Sequence, residues 1–483
     1  MTIWNGVLVW RGRRLGSASS AMLIATLAIA EAAMGSGLVF AARADGDQVA
    51  ITDGPSIQRA VDSAPGEIVI LPPGNYEISA PIVISKTGGG LIGPGRIIQT
   101  RPEQPILVVS HADDVQLRDL VLTRAAGTEG SVSGLAANTC RNLVIDNVQV
   151  IDNRAASGAV NIDKCVNGTL SNCVVRNYTR VSVDDRTANP NGGYAFKCFD
   201  GTGIQLTGCH GMLVQGNRVE EMHNRPTREN KEKYGLGKFT KKNATRGAMA
   251  TQEMWDKEEF PQWHQGSAIY VGGPKDSGQT RLIGNYMENA AQGIDIHSDH
   301  VIVSQNIVYN AAVGVKAMHG SRNVLILGNQ FNRCTAHGIL LQPGASSHGA
   351  VDEGESGDGS DPSRANTDGG TVVANNIISD FGYGDSHWIW GDERDAIALE
   401  GGQKPDNPPL SDVIVQGNVV FDPTIATSSS SSEGQPKPRY RYALMVSRSS
   451  PESKGPVNLR VFNNTFHPGS WGVSNIELRD QAP

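Results

Sequence analysis

Four side chains that can perform acid–base chemistry recur in short, similar segments near the centre of the chain: Tyr270, Asp295, His297 and Lys316. A phenol, a carboxylate, an imidazole and an ammonium group can together remove a proton, deliver one and hold negative charge. A ladder of surface charges is the structural alternative, although such a ladder more often repeats one residue type. Whether these side chains meet depends on the elements that carry them.

These segments are copies of one pattern in which apolar residues alternate with variable ones, which predicts short strands with one buried face. The copies are centred on Ile269, Ile294, Val315 and Ile339, with spacings of 25, 21 and 24 residues. Repeats of this length without helical periodicity indicate a β-solenoid, because one repeat cannot bury its own apolar face and must stack on the next. The sequence therefore predicts an all-β solenoid of roughly ten parallel coils.

Each of the first three copies is followed by a second strand that ends in an Asn. We expect these Asn side chains to stack at a bend, where Asn tolerates left-handed backbone and its amide can bond the next Asn. Asn285, Asn306 and Asn329 define this ladder, and the same residue recurs at positions 147, 172, 217, 376, 418 and 464.

The alternation also assigns side chains to the two faces of the stacked strands. The predicted inward residues are Ile269, Val271, Ile294, Ile296, Val315, Ala317, Ile339 and Leu341. One outward row is then Tyr270, Asp295, Lys316 and Leu340, and the next is Gly272, His297, Met318 and Gln342. Because coils lie about 4.8 Å apart and alternate residues about 6.5 to 7 Å apart, the four acid–base side chains should share a patch the size of a sugar ring.

The turn that borders this patch carries His319, Arg322, Asp299 and His300. We predict that His319, Arg322 and Gln342 bind substrate there. A second binding region is expected between residues 223 and 246, where eight Lys or Arg residues face two Glu residues in a chain of formal net charge −7. Such a basic segment suits an anionic polymer, although a solvated loop that binds nothing is the alternative. Its predicted binding residues are Lys238, Lys241 and Lys242.

The two ends of the chain differ in composition. Residues 1–44 combine a basic head, an apolar run from Ala21 to Ala42 interrupted by Glu31, and the small-residue site Ala42-Arg43-Ala44. This order predicts a secretory signal and export to the periplasm or the cell exterior. An uncleaved membrane anchor is the alternative, and Glu31 argues against it.

The remaining residues, 45–483, read as one solenoid domain, because they are rich in Gly, poor in aromatic residues and too polar for a membrane protein. A short helix over residues 56–63, with Ser56 as its N-cap, is expected to close the first coil. Insertions are predicted at about 223–264, 345–370 and 424–439. The second is either a calcium loop or a disordered segment, and the spacing of its acidic residues fits no known Ca²⁺ loop. Nothing indicates a nucleic-acid partner, and the oligomeric state stays open.

Three of the six cysteines have similar spacing from predicted ladder residues. Cys140 and Cys165 stand seven residues before Asn147 and Asn172, and Cys209 stands eight before Asn217. Equivalent positions on nearby coils favour stacked buried thiols, with an inter-coil disulfide as the alternative. A metal site is not indicated, because no His lies at ligand spacing.

Three stretches resemble known families. Leu71-Pro72-Pro73-Gly74-Asn75-Tyr76 after a helix resembles the N-terminal region of the pectate-lyase-like superfamily, which implies a single-stranded right-handed parallel β-helix. The segment Gly293–Ser298 resembles the Gly-Ile-Asp-Pro-His-Asp segment of the mannuronan C5-epimerases, which implies roles for Asp295 and a base role for His297. Residues 293–331 are similar to the alginate lyase and chondroitinase B family, but Met318 and His297 stand where that family has its catalytic Arg and Lys.

Both enzyme families begin by removing the C5 proton of a uronate. We therefore expect His297 to be the base, Lys316 to neutralise the uronate carboxylate, Asp295 to orient them and Tyr270 to protonate the leaving O4. The resulting hypothesis is an exported polysaccharide lyase acting on an acidic polysaccharide. A uronate C5-epimerase is the first alternative. The others are a glycoside hydrolase, whose carboxylates would come from Asp184, Asp185, Asp295 or Glu400, and a non-catalytic polysaccharide-binding solenoid.

Overall fold

The computed structural model describes residues 49–127, 132–155, 157–184, 194–221, 228–236, 239–242, 265–273, 277–349, 365–382, 394–421, 439–449 and 451–476. The predicted signal segment lies outside this part of the chain. So do the acidic residues of the second insertion, which are Asp352, Glu353, Glu355, Asp358 and Asp361. Within the described ranges, no helix has both the length and the apolar character needed to cross a membrane.

A helix closes the first coil. Helix α1 (Gly54–Ser63) is capped by Asp53, whose side chain accepts a hydrogen bond from the Ser56 backbone N at 2.8 Å. The Ser56 hydroxyl accepts one in return from the Asp53 backbone N, so the two residues form a capping box. The expected helix is thus confirmed, but the prediction of Ser56 as N-cap is wrong, because Ser56 is the third residue of the first turn. Ile57 and Ala60 turn their side chains into the core.

Three parallel sheets of twelve strands each form the body of the fold. The first sheet contains β1 (Ile68–Ile70), β4 (Gly90–Ile92), β7 (Gln116–Arg118), β10 (Val144–Asp146), β13 (Thr169–Ser171), β18 (Leu213–Gln215), β22 (Arg281–Ile283), β25 (Ile302–Ser304), β28 (Leu325–Leu327), β31 (Val372–Ala374), β34 (Ile414–Gln416) and β37 (Arg460–Phe462). The second contains β2 (Gly74–Ile78), β5 (Gly95–Gln99), β8 (Val121–Arg124), β11 (Gln149–Ile151), β14 (Val174–Arg176), β19 (Arg218–Glu220), β23 (Tyr286–Glu288), β26 (Ile307–Tyr309), β29 (Gln330–Asn332), β32 (Ile377–Ser379), β35 (Val419–Phe421) and β38 (Thr465–Phe466).

The third sheet carries the predicted patch. It contains β3 (Ile82–Ile84), β6 (Leu107–Ser110), β9 (Leu135–Asn138), β12 (Val160–Asp163), β17 (Ile204–Thr207), β21 (Ser267–Gly272), β24 (Gln292–Ile296), β27 (Val313–Ala317), β30 (His337–Leu341), β33 (Asp395–Glu400), β36 (Tyr442–Ser447) and β39 (Gly472–Ile476). A small antiparallel sheet of β15 (Arg180–Asp184), β16 (Tyr194–Asp200) and β20 (Phe239–Lys242) is added to this body, and helix α2 (Arg228–Tyr234) precedes β20.

Each coil therefore contributes one strand to each sheet, and the described residues form twelve coils rather than the roughly ten expected. The difference arises because the strands of the first two sheets are mostly three residues long and bury one side chain each, as Val303 and Val308 do. Strands this short leave little alternation to detect in the sequence.

The core is a stack of the predicted inward residues. All eight inward residues of the central coils are at most 3% exposed. Full burial of such side chains contributes roughly 1.5 to 3 kcal/mol each, so the apolar rows of the three sheets are the main source of stability.

An amide ladder runs along the bend between the first and second sheets. The Nδ2 atoms of Asn285 and Asn306 donate to the Oδ1 atoms of Asn306 and Asn329 at 2.9 and 3.0 Å. The stacking predicted for these residues is confirmed, and the ladder extends through Asn217, Asn376, Asn418 and Asn464.

Two predicted members do not belong to this ladder. Asn147 and Asn172 are themselves in left-handed backbone, with φ of 52° and 54°, and occupy the position of Gly216 rather than Asn217. In the central coils the left-handed residue is the one before the ladder Asn, for example Gly284 and Gln305. Placing the left-handed conformation on the ladder Asn itself was therefore wrong.

The cysteines of the described residues are all buried, and none of them forms a disulfide. Cys140, Cys165 and Cys209 occupy equivalent places on successive coils, since the residues that follow them pair with one another as parallel bridges. The backbone N of Cys165 lies 3.4 Å from the Cys209 sulfur. The prediction of stacked thiols is thus confirmed. The described residues include no cluster of three or more His, Cys, Asp or Glu side chains that could hold a metal ion.

Candidate functional site

The register of the third sheet brings the predicted row together. Tyr270 on β21 pairs with Asp295 on β24, and Asp295 pairs with Lys316 on β27. His297 directly follows β24, and its backbone N bonds the Val271 carbonyl of the preceding coil. The outward row of Tyr270, Asp295, Lys316 and Leu340 is therefore present as the alternation predicted.

The four acid–base side chains form one chain of contacts. The Tyr270 hydroxyl lies 3.3 Å from Nδ1 of His297, and Nε2 of His297 lies 3.0 Å from Oδ1 of Asp295. The second carboxylate oxygen of Asp295 lies 3.1 Å from Nζ of Lys316. Asp295 thus stands between the imidazole and the ammonium group, and the imidazole stands between the carboxylate and the phenol.

This site is more enclosed than an outward-facing row suggests. The side chains of Asp295, Lys316 and His297 are only 8%, 10% and 17% exposed. An outward direction therefore does not make these side chains superficial. Charges with so little water around them interact more strongly than surface ion pairs do.

The environment keeps Asp295 ionised and Tyr270 protonated. Burial alone would raise the pKa of Asp295, but the charges of His297 and Lys316 outweigh it and hold that pKa below its usual value. Burial, with the nearby Asp295 charge, raises the pKa of Tyr270 to about 12. Nε2 of His297 and Oδ1 of Asp295 are close but are not aligned as a hydrogen bond, and neither atom has another hydrogen-bond partner among the described residues. A carboxylate at this distance still favours an N–H over a second lone pair, so a neutral His297 carries its proton on Nε2. The lone pair is then on Nδ1, beside the Tyr270 hydroxyl.

A glycine makes room for the phenol. A Cβ atom at Gly272 would lie 2.1 Å from the Tyr270 hydroxyl oxygen, so the ring of Tyr270 folds over a residue that has no side chain. The Tyr270 and His297 rings meet edge to face, with centroids 5.2 Å apart. Gly272, which the sequence placed in the second outward row, thus permits the contact between Tyr270 and His297.

Of the predicted binding residues, His319 contacts this site, and Gln342 shares the second outward row without a described contact to the four acid–base side chains. The ring of His319 contacts that of His297 edge to face, with centroids 4.4 Å apart. Gln342 lies in the second row, as predicted, and its Nε2 donates to Glu400 at 2.8 Å and to Ser449 at 2.7 Å.

The other predicted binding residues are not joined to the site by a described contact. Arg322 lies at the bordering turn, where its side chain is 42% exposed and pairs with Asp299 at 3.2 Å. Lys238 lies outside the described residues, while Lys241 and Lys242 belong to β20, where only their backbone is described. Of the carboxylates considered for hydrolysis, Asp184 ends β15 and Asp185 lies outside the described residues.

One acidic residue near the site escaped sequence reasoning. Asp368 accepts hydrogen bonds from the backbone N atoms of Gly320 and Ser321 and from the hydroxyl of Ser347. Burial raises its pKa to about 6, although these hydrogen bonds counteract the shift. No repeat or motif marks Asp368, because its partners lie 21, 47 and 48 residues away in the chain and meet it only in the folded protein.

Similar solved structures are found for this architecture. The Dettilon tailspike protein aligns over 88% of this chain and 66% of its own, at 12% identity and a TM-score of 0.54. A mutant tailspike protein of E. coli bacteriophage HK620, in complex with a hexasaccharide, aligns over 88% of this chain and 63% of its own, at 11% identity and a TM-score of 0.50. The fold is a right-handed parallel β-helix.

An exopolygalacturonase from Thermotoga maritima aligns over 77% of this chain and 84% of its own at 13% identity, with a TM-score of 0.47. No protein-family model matches the chain, and no curated protein matches it. At these identities the likeness of this β-helix to its neighbours shows the fold alone.

Proposed function

We propose that this protein is an exported lyase that cleaves a uronate-containing acidic polysaccharide by β-elimination. The observation that carries the proposal is the contact chain from Tyr270 through His297 and Asp295 to Lys316. It combines a base, an acid and a positive charge within one enclosed site. These are the groups needed to remove the C5 proton of a uronate and expel the substituent at C4.

In the proposed reaction, Nδ1 of His297 takes the C5 proton. The electron pair of the C5–H bond moves toward the uronate carboxylate, and the ammonium group of Lys316 stabilises the negative charge that develops there. Asp295 remains ionised and holds both groups, because the charge of Lys316 and, once the C5 proton has been taken, the charge of His297 keep its pKa low. The same electron pair then forms the C4–C5 double bond as the bond between C4 and O4 breaks.

Tyr270 supplies the proton that the leaving oxygen needs. Its raised pKa of about 12 means that the phenol is protonated in neutral solution and can donate. After donation, the phenolate recovers a proton from Nδ1 of His297, which is 3.3 Å from the Tyr270 oxygen. The proton removed from C5 thereby replaces the one given to O4, and the site returns to its starting state.

The proposal also covers the kind of polymer that is bound and the export of the protein. The six excess positive charges of residues 223–246 suit an acidic chain, so we assign Lys238, Lys241 and Lys242 to substrate binding. The tailspike bound to a hexasaccharide agrees with a polysaccharide partner. We assign residues 1–44 to an export signal on the basis of their basic head, apolar run and small-residue site.

A uronate C5-epimerase is the second candidate. It would use the same removal of the C5 proton by His297 and the same positive charge of Lys316, and it would differ in that a proton returns to the opposite face of C5 while the bond to O4 stays intact. A glycoside hydrolase has less support, since it needs two carboxyl groups about 5 to 9.5 Å apart. Glu400 lies three coils from Asp295, which corresponds to roughly 14 Å along the stack.

The test is to incubate the purified protein with a panel of acidic polysaccharides and follow the ultraviolet absorbance of unsaturated uronates. We expect absorbance to rise with the wild type and to rise roughly 10²- to 10⁴-fold more slowly with His297→Ala, the usual contribution of a positioned base. Reducing ends without absorbance would indicate hydrolysis, and a changed epimer ratio alone would indicate epimerisation. Binding of a polysaccharide without any chemical change would indicate a non-catalytic polysaccharide-binding solenoid.

A further inference from the structure

His319 is held in one position beside the acid–base chain. It lies in the turn after β27 with left-handed backbone, φ 61°, and its ring contacts that of His297. On its other side the ring packs against Gly344, where a Cβ atom would lie 2.1 Å from Nδ1 of His319. A residue with any side chain at position 344 would displace the imidazole.

The hydrogen bonding of this imidazole fixes its tautomer. The backbone N of Ser346 donates to Nδ1 of His319 at 3.2 Å. A backbone N–H can only donate, so Nδ1 must carry the lone pair. Burial, followed by the charges of His297 and Lys316, lowers the pKa of His319 to about 3, so the ring is neutral in ordinary solution. A neutral ring with its lone pair on Nδ1 carries its proton on Nε2.

The donor Ser346 is itself held in place. Asn366 donates from Nδ2 to the carbonyl oxygens of His319 at 3.0 Å and Ser346 at 2.8 Å, so one amide ties the two backbone segments together. Asp368 binds the backbone N atoms of the two residues that follow His319. The His319 clasp, defined as Ser346, Asn366 and Asp368, therefore connects both ends of the second insertion to the turn that carries the imidazole.

We propose that the clasp sets His319 as a permanent neutral hydrogen-bond donor, through Nε2–H, to the carboxylate of the uronate whose C5 proton is removed. This inference rests on the proposed function and adds a second group at the carboxylate beside Lys316. A donor that is already oriented and does not titrate can stabilise the developing enolate without reorganising during the reaction. The aromatic contact with His297 places this imidazole next to the proposed base.

Two replacements separate the donor from the structural bond. The amide of Asn lies where Nδ1 of His lies, so His319→Asn can keep an acceptor for Ser346 but loses the donor at Nε2. The longer Gln reaches the Nε2 position, so His319→Gln can keep the donor but loses the acceptor. We expect His319→Asn to lose roughly 10²- to 10³-fold in kcat with a smaller change in KM, as for loss of one preorganised donor. His319→Gln should be at least about tenfold more active than His319→Asn.

The opposite order of activities would overturn the inference, because a purely structural His319 requires the bond to Ser346. A second measurement does not depend on activity. Nitrogen NMR of the wild type labelled with ¹⁵N-histidine should show an unprotonated Nδ1 and a protonated Nε2 for His319 throughout pH 5 to 8, with the signal assigned by its loss in His319→Asn. A protonated Nδ1 would refute the fixed tautomer.

The two proposals fail in different ways. If the wild type produces no unsaturated or epimerised uronate from any polymer, the proposed function is refuted. The proposal that His319 binds the uronate carboxylate is then refuted as well. An active wild type whose His319→Asn variant equals or exceeds His319→Gln would remove only the role of His319.

Discussion

Replacing Asp295 by Asn removes the charge between His297 and Lys316 while keeping the shape of the side chain. The amide can turn its NH₂ group toward Nε2 of His297, which would force the lone pair onto Nε2 and the proton onto Nδ1. Nδ1 is the atom proposed to take the C5 proton, so the variant would hold its base in the wrong tautomer. In catalytic triads the same replacement lowers kcat by about 10⁴-fold, and we expect a loss of roughly 10³- to 10⁴-fold here.

The stability of the Asp295→Asn variant should fall as well. The side chain of Lys316 is 10% exposed, and its ammonium group loses the charge that lies 3.1 Å away. Breaking a buried ion pair by removing one partner costs about 3 to 5 kcal/mol, and the remaining amide oxygen should keep the loss at or below the lower figure. The double variant Asp295→Asn with Lys316→Met should recover part of this free energy, because it removes both charges of the buried pair rather than one.

The pH dependence of this stability difference has a definite sign. The pKa of Asp295 is lowered in the folded protein, whereas an unfolded Asp titrates near 3.9. The stability contributed by its charge is therefore present above the unfolded pKa and is lost as the pH falls through the folded pKa. The difference in unfolding free energy between wild type and variant should be largest near pH 7 and should decrease under strongly acidic conditions.

The assays are kcat from the absorbance of unsaturated product and denaturant unfolding at several pH values. Asp146→Asn is the matched control, because Asp146 is also a carboxylate of lowered pKa but lies on the first sheet, bonded to Ser171 and Asn172. It should keep wild-type kcat. If Asp295→Asn retained more than about a tenth of wild-type kcat, the tautomer argument for His297 would be wrong.

Three further outcomes follow from the same structure. Tyr270→Phe should depress turnover on ordinary polymer but much less on a substrate with an acidic leaving group, and equal losses on both would exclude Tyr270 as the acid. Asn306→Ala should destabilise the fold by roughly 2 to 4 kcal/mol in chemical unfolding, because both neighbouring ladder amides lose a buried partner, and an unchanged midpoint would contradict this. Replacing three lysines of the basic segment by Ser should raise KM and reduce the salt dependence of KM without affecting folding; the three are Lys238, Lys241 and Lys242. An unchanged KM with unchanged salt dependence would show that this segment does not bind the substrate.

The sequence alone was sufficient to predict the stacking of coils and the contents of the outward rows. Strand side chains alternate with a period of two, so the spacing of apolar residues around Ile294 and Val315 assigns Asp295 and Lys316 to the same row. The repeated Asn residues likewise predicted the ladder in the central coils. These features depend on the local alternation of residues and on the stacking of each coil on the next, and both can be predicted from short stretches of sequence.

The local pattern assigned two Asn residues to the ladder wrongly, and the spacing of the cysteines contained the information needed to exclude them. Cys140 and Cys165 stand seven residues before Asn147 and Asn172, but Cys209 stands eight before Asn217. Stacked cysteines with unequal spacing imply that the first two Asn residues occupy a different position from Asn217. They adopt the left-handed bend itself, which Gly216 adopts on the later coil.

Only the tertiary structure decided how the acid–base side chains are enclosed and which atoms they present. The burial of Asp295 and Lys316 cannot be read from alternation, which gives the direction of a side chain but not what covers it. The tautomer of His319 depends on Ser346, 27 residues later, and on the amide of Asn366, 47 residues later. Because such contacts join segments on either side of an insertion, they exist only once the coils have stacked, and no local pattern in the sequence encodes them.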